Sequence, residues 1–146
     1  MTNIVVEEGN TVYDSRSNCN AIIETSSDTL IKGCSNTIIP EGVKIIGDSA
    51  LSYCDFTSII IPEGVTRIGN GAFNCCRSLT DIQIPDSLVS IGENAFAECN
   101  LTSLRIPADL QSIGNNAFVM GGVSMVIIDS STIAGDLSGT GTTVCG

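Results

Sequence analysis

The 146-residue chain contains no histidine and no tryptophan, and it carries only six lysines and arginines against sixteen aspartates and glutamates. Each shortage removes a class of function. Without histidine a Cys-His nucleophilic pair cannot form, so the seven cysteines cannot serve a hydrolase of that type. A net charge of -10 repels polyphosphate and anionic lipid, which argues against nucleic acid or an anionic membrane as the partner. No apolar run reaches the ~18 residues that a membrane-spanning helix needs. The start at Met1 lacks the basic stretch followed by an apolar one that marks an export signal. Because Thr2 to Asn10 already reads as the second half of a repeat, the chain is expected to be a piece of a longer protein.

Proline is also scarce, and the four present are informative. Pro40, Pro62, Pro85 and Pro107 lie 22, 23 and 22 residues apart, each preceded by isoleucine. The same step recurs at Ile46-Gly47, Ile68-Gly69, Ile91-Gly92 and Ile113-Gly114, and at Ala50-Leu51, Ala72-Phe73, Ala95-Phe96 and Ala117-Phe118. A fixed period in this range means a stacked, quasi-one-dimensional architecture, in which each copy buries its apolar face only against its neighbours. The 42% hydrophobic content with 15% charge fits such a stack of about five or six coils.

One copy, Leu79 to Cys99, shows how a coil is built. Ile82 and Ile84 alternate with Asp81 and Gln83 as a half-buried strand requires. Pro85 ends that strand because it has no amide to donate. Val89 with Ile91 is expected to re-enter the core on the far side, and Gly92 to allow a bend there. Ala95 and Phe96 begin a short turn that fills the space between coils. Strands are accordingly expected at Ile4 to Val6, Thr37 to Ile39, Ile59 to Ile61, Ile82 to Ile84, Leu104 to Ile106 and Val126 to Ile128. An insertion at about 10–34 interrupts the frame. Within it Asn20 to Glu24 and Thr29 to Lys32 flank the polar Thr25-Ser26-Ser27-Asp28, which predicts a β-hairpin. Regular repeats occupy about 35–129, giving a solenoid over 1–129. The Ser/Thr/Gly-rich segment 130–146 is expected to be a frayed end or linker.

The frame Ile-Pro-x-x-Val-x-x-Ile-Gly-x-x-Ala-Phe-x-x-Cys resembles the leucine-rich repeats of BspA-like bacterial surface proteins over about Ile4 to Asp129. The Asn10 to Cys34 hairpin is similar to an insertion seen among them. The resemblance implies a right-handed leucine-rich-repeat superhelix of short strands, turns and short helical or 3-10 segments on an exported or cell-surface protein. It also implies adhesion and binding of host matrix proteins, and it supplies no catalytic residue. Leu51 in place of the frame Phe, Cys34 in place of the leading Leu or Phe, and Gly121 in place of Cys depart from the pattern.

Function is therefore sought on a surface. Cys54, Cys76 and Cys99 each follow the frame Ala by four residues and are read as one buried apolar column. Pairing Glu24 with Thr29 sets Cys19 opposite Cys34, which is compatible with a disulfide, although Cys34 is equally compatible with a core thiol. No metal, cofactor or catalytic group is expected, and no two carboxylates are tied together as a glycosidase pair. Tyr13, Asp14, Ser15 and Arg16 are read as a brace for the turn into the hairpin.

Stacked strands align their outward residues about 4.8 Å apart. One column would hold Val5, Ile38, Ile60, Gln83, Arg105 and Ile127, and the next Asn36, Ser58, Asp81, Ser103 and Met125. Outward Ile38 and Ile60 are unusual, since solvated strand positions tend to be polar. They mark a binding face, or are covered by the hairpin, or merely suit a strand. The function expected is non-enzymatic: an adhesin-like segment binding a host or matrix protein or a glycan. A structural spacer without its own ligand is the alternative.

Overall fold

The computed structural model describes residues 3–119 throughout, and beyond them the backbone of three short strands at 125–128, 134–135 and 143–145. The strands are β1 (Tyr13–Asp14), β2 (Ala21–Glu24), β3 (Thr29–Gly33), β4 (Ile45–Ile46), β5 (Ser58–Ile60), β6 (Arg67–Ile68) and β7 (Asp81–Gln83). They continue as β8 (Ser90–Ile91), β9 (Ser103–Ile106), β10 (Ser112–Ile113), β11 (Met125–Ile128), β12 (Ala134–Gly135) and β13 (Thr143–Cys145), with one 3-10 turn at Arg16–Asn18. The architecture is a leucine-rich-repeat solenoid built almost entirely from strands and turns.

Each 22- or 23-residue coil contributes to three parallel ladders. The strand before the frame Pro forms the first, pairing β5 with β7 and, further along, β9 with β11 and β13. The Ile before the frame Gly forms the second, in the eight-stranded order β1-β2-β3-β4-β6-β8-β10-β12. The third is made by the turn residues: Leu51 donates to the Ala72 carbonyl at 2.8 Å, Phe73 to Ala95 at 2.8 Å and Phe96 to Ala117 at 2.7 Å. Tyr53, Cys75 and Glu98 extend it one step on, and all three take the left-handed backbone conformation to do so, with φ of 59°, 60° and 58°. The coil interior is then closed by columns of like residues. Ile46, Ile68, Ile91 and Ile113 form one, Val43, Val65, Leu88 and Leu110 another, and Phe73, Phe96 and Phe118 a third, all buried.

Two details of the coil differ from expectation. The residue re-entering the core in the third coil is Leu88, which is fully buried; Val89 is half-buried, and its N–H bonds to Thr66 in the preceding coil at 2.9 Å. The three-residue step from the proline, not the valine itself, sets the position. Strands do not form at Ile4 to Val6 or at Thr37 to Ile39. Ile4 is buried and Val5 exposed as alternation requires, but the Val6 N–H donates to the Ser15 hydroxyl at 3.0 Å instead of joining a ladder. In the segment expected to be frayed, β12 pairs with β10 and β13 with β11, so both ladders continue into 130–146; the rest of that segment lies outside the described residues.

The insertion forms the expected hairpin and uses it as an end cap. β3 turns from its antiparallel partner β2 to a parallel pairing with β4, Thr29 with Ile45 and Leu30 with Ile46. Ala21, Ile23 and Leu30 thereby cover the first coil's interior, and the Gly33 N–H reaches the Ala50 carbonyl at 2.8 Å, where the third ladder begins. The approach is close: a side chain on Gly33 would lie 2.5 Å from Leu51 Cδ2, and it is this coil that carries Leu in place of the frame Phe. Arg16 fastens the cap, bridging Asp14 at 2.7 Å and Asp28 at 2.9 Å.

Arg16→Met is expected to cost about 1–3 kcal/mol by removing charge-assisted hydrogen bonds at a partly buried site. The Arg16 hydrogen bond holds the Asp14 carboxyl below its ordinary value of 3.8. A lowered carboxyl stabilises the fold above its unfolded value and loses that contribution as pH falls through the folded one. The stability gap between parent and variant should therefore narrow below about pH 4, and urea titrations at pH 7 and pH 3 would show a constant gap if the bridge were idle.

Candidate functional site

The outward face of the first ladder is built from single-residue alternation. Ile59, Ile82 and Leu104 point inward and are buried, so Ser58 and Ile60, Asp81 and Gln83, and Ser103 and Arg105 must point out; all six are exposed. The parallel register confirms the columns, with Ser58 opposite Asp81 and Ile60 opposite Gln83. Asn36 and Ile38 are exposed in the coil before. Ile127 and Met125 lie on β11 in register with Arg105 and Ser103, and their side chains lie outside the described residues. Val5 is exposed but does not neighbour Ile38: it lines a recess with Ser15, Asn18 and Asn20, and the Ile38 N–H bonds to the Cys19 carbonyl at 3.1 Å. The 17–20 segment of the insertion has taken the intervening place in the stack.

Ile38 is 73% exposed and Ile60 62% exposed. The hairpin does not cover them, because β3 leaves through the opposite ladder to reach β4. Between them runs a groove of about 450 Å³ whose lining includes Ile39, Ile59, Pro62 and Glu41. A second groove of about 280 Å³ continues it toward Gln83 and Pro85, sharing Glu41, Ile60 and Pro62 and adding Glu63.

At the first groove the ladder is interrupted, as it is again between β7 and β9. β5 pairs with β7 alone, and residues 37–40 form no strand. Thr37 instead donates its hydroxyl to the Asn20 carbonyl at 2.7 Å, and with the Ile38–Cys19 bond this holds the segment against the insertion, on the side away from β5.

The two halves of the face differ in charge. At the C-terminal side Arg105 Nη1 meets Asp86 Oδ1 at 2.7 Å, so both signs are matched. At the N-terminal side Glu41 and Glu63 lie outside the ion pairs of the described residues. Sequence reasoning singles out the two isoleucines and reads these acids as solvated turn residues beside the frame proline. Both directly follow a frame proline, and Asp86 stands at the same step, so the signal was present in the repeat itself.

Cys19 and Cys34 stand as separate buried thiols in this structure. A bulge between Ile22 and Ile23 shifts the hairpin register by one residue, pairing Ala21 with Gly33, and carries Cys34 toward Asn20, whose carbonyl its thiol faces at 3.5 Å. Cys54, Cys76 and Cys99 are buried in succession, with Cys76 Sγ 3.1 Å from the Leu51 carbonyl and Cys99 Sγ 3.1 Å from that of Phe73. Burial pushes the Cys54 thiol up to about 11, and contact with Cys76 together with burial raises that of Cys99. Among the described residues no three Cys, Asp or Glu side chains converge on a metal position.

The BspA-type leucine-rich-repeat family model matches residues 17–133 in six copies. The chain belongs to the BspA-type leucine-rich-repeat family. This BspA-type array is similar to a leucine-rich-repeat protein from Bacteroides capillosus, at 25% identity and a TM-score of 0.66 over 88% of this chain and 99% of that one. A leucine-rich cell-surface protein of Faecalibacterium prausnitzii is 24% identical with a TM-score of 0.73, covering 94% of this chain. The pneumococcal vaccine antigen PcpA is 23% identical with a TM-score of 0.65, covering 90%. The chain spans 40% of the length of each of these last two structures, whose likeness shows the fold. No curated protein matches.

Within this BspA-type stack the cysteines behave as packing residues. Among the described cysteines Cys75 is the half-exposed exception, its thiol directed at Asn74 Oδ1 at 3.3 Å. In native protein at pH 8, iodoacetamide is expected to modify Cys75 ahead of the other five described cysteines, Cys19, Cys34, Cys54, Cys76 and Cys99, which stay protected until unfolding. Peptide mass mapping would contradict the packing role if Cys54 or Cys99 alkylated at the rate of Cys75.

Proposed function

We propose that this BspA-type segment is a non-enzymatic binding module of a cell-surface or exported protein, and that it presents the β5–β7–β9 face to a protein or glycan partner. The observation that carries this reading is the exposed pair Ile38 and Ile60 over a groove of about 450 Å³. The outward positions of the following strands, Asp81, Gln83, Ser103 and Arg105, are polar. Exposing two large aliphatic side chains side by side brings the fold nothing, whereas covering them from outside removes apolar surface from water. The surface location is supported by the family and by the Faecalibacterium cell-surface protein of the same fold. A solenoid exposes a long face per residue of chain, which suits recognition of a macromolecule better than enclosure of a small substrate.

The test is a binding screen of the folded segment against extracellular matrix proteins and glycans. It should be followed by Ile38→Ser with Ile60→Ser. Loss of the partner by about tenfold or more, with an unchanged circular dichroism spectrum, is expected. Unchanged affinity in the folded double variant would move the binding site off this face. A segment that binds nothing in the screen would be the structural spacer.

A further inference from the structure

β5 is an edge strand in the middle of a solenoid. In a parallel pair, alternate residues turn both their amide groups toward opposite neighbours. Ile61 donates to the Gln83 carbonyl at 3.0 Å and Thr57 accepts from Thr80 at 2.9 Å, so the odd positions of β5 face β7. The N–H and C=O groups of Ser58 and Ile60 therefore face the other way, toward the groove and the displaced 37–40 segment. Among the described residues no backbone hydrogen bond joins 37–39 to 58–61. An exposed strand edge is a ready site for a further strand.

Charge narrows what such a strand would carry. Glu41 lines both grooves and Glu63 the second, and the protein as a whole has a net charge of -10. A second copy of the same face would set these acids against themselves. A cationic segment would be drawn in, and its apolar side chains would meet Ile38 and Ile60.

We propose that the free edge of β5 takes up an extended segment of another protein as an added strand, one that alternates apolar residues with lysine or arginine. Main-chain hydrogen bonds to Ser58 and Ile60 supply binding, the isoleucines hold the apolar side chains, and Glu41 and Glu63 select the positive ones, in the manner of strand addition elsewhere. This deepens the binding role proposed above and rests on it. β7 and β9 are also unpaired with one another, and what distinguishes the β5 edge is that the insertion bonds the preceding coil through Thr37 and Ile38.

The probe is a labelled, end-blocked nine-residue peptide alternating valine and lysine, titrated by fluorescence anisotropy. Two relatives serve as comparisons: one with glutamate for lysine, and one with alternate backbone amides N-methylated. The first peptide should bind and the other two be weaker by about tenfold or more, and binding should slow hydrogen exchange at the Ser58 and Ile60 amides. Glu41→Gln with Glu63→Gln should weaken it about tenfold, whereas Glu8→Gln with Glu93→Gln, equal in charge, should leave it unchanged. Equal binding of the N-methylated peptide would overturn strand addition, and an equal loss in the two Gln pairs would reduce the effect to bulk attraction. Should the valine-lysine peptide fail to bind while the screened partner still depends on Ile38 and Ile60, the strand-addition inference falls and the binding role stands.

Discussion

Phe96→Ala is expected to destabilise the fold by about 3–5 kcal/mol, the range for truncating a fully buried aromatic residue. Phe96 is 1% exposed and stacked between two rings, 5.1 Å from Phe73 with planes 7° apart and 5.5 Å from Phe118 with planes 2° apart. Its removal loses apolar burial and both ring contacts, and the cavity cannot close without shortening the step between coils that the hydrogen-bonded second and third ladders fix. Folded domains have only ~5–15 kcal/mol in reserve, so a large part of that margin disappears. Because each coil rests on its neighbours, the loss also uncouples the coils on either side. Phe96→Leu, which mimics Leu51 of the first coil, should cost no more than about 1.5 kcal/mol. Urea unfolding followed by circular dichroism reads both, and equal midpoints for the two variants would show that the stack is not what the column contributes.

Gly92→Ala is the second large effect, expected at about 3 kcal/mol, the upper end for overpacking. The frame glycines Gly47, Gly69, Gly92 and Gly114 have no positive φ. What they lack is room. A Cβ on Gly92 would lie 2.6 Å from the Asn70 amide nitrogen and 2.6 Å from the Gly69 carbonyl carbon, both backbone atoms of the coil before. Backbone held in a ladder cannot swing aside as a side chain can, so the coils must separate. Gly71 is the control. Its φ is +58° but its nearest neighbours to a Cβ stand at 3.5 and 3.7 Å, and Ser49, Asn94 and Asn116 adopt positive φ at the same step. Gly71→Ala should cost about 1 kcal/mol, the strain of a left-handed alanine. A larger loss at Gly71 than at Gly92 would reverse the argument.

What could be read from residues alone was whatever the period repeats. Each frame position is sampled four times, so the buried columns of Ile, Phe and Cys and the outward alternation at Ser58, Ile60, Asp81 and Gln83 were legible before any coordinates. The third ladder was not, because the residues that adopt positive φ there, Tyr53, Cys75 and Glu98, share no side-chain chemistry that would announce it. Leu88 stands three residues after Pro85, as Val43 and Val65 do after their prolines, but Val89 beside it shares their residue type, and here spacing and not residue type decides which is buried.

The candidate site divides in the same way. That Ile38 and Ile60 point outward follows from alternation, a local property of the backbone. That they flank an open groove does not, since this depends on a one-residue bulge at Ile22/Ile23 and on Ile38 and Thr37 bonding to Cys19 and Asn20, residues brought close only by folding. The sequence by itself determined a stacked array, its family and its outward columns, because a solenoid's contacts repeat with the chain. Only the tertiary structure decided where the stack is interrupted, how the hairpin register places Cys19 and Cys34 and which strand edge adjoins the insertion, because a single inserted segment has no second copy from which its pairing could be inferred.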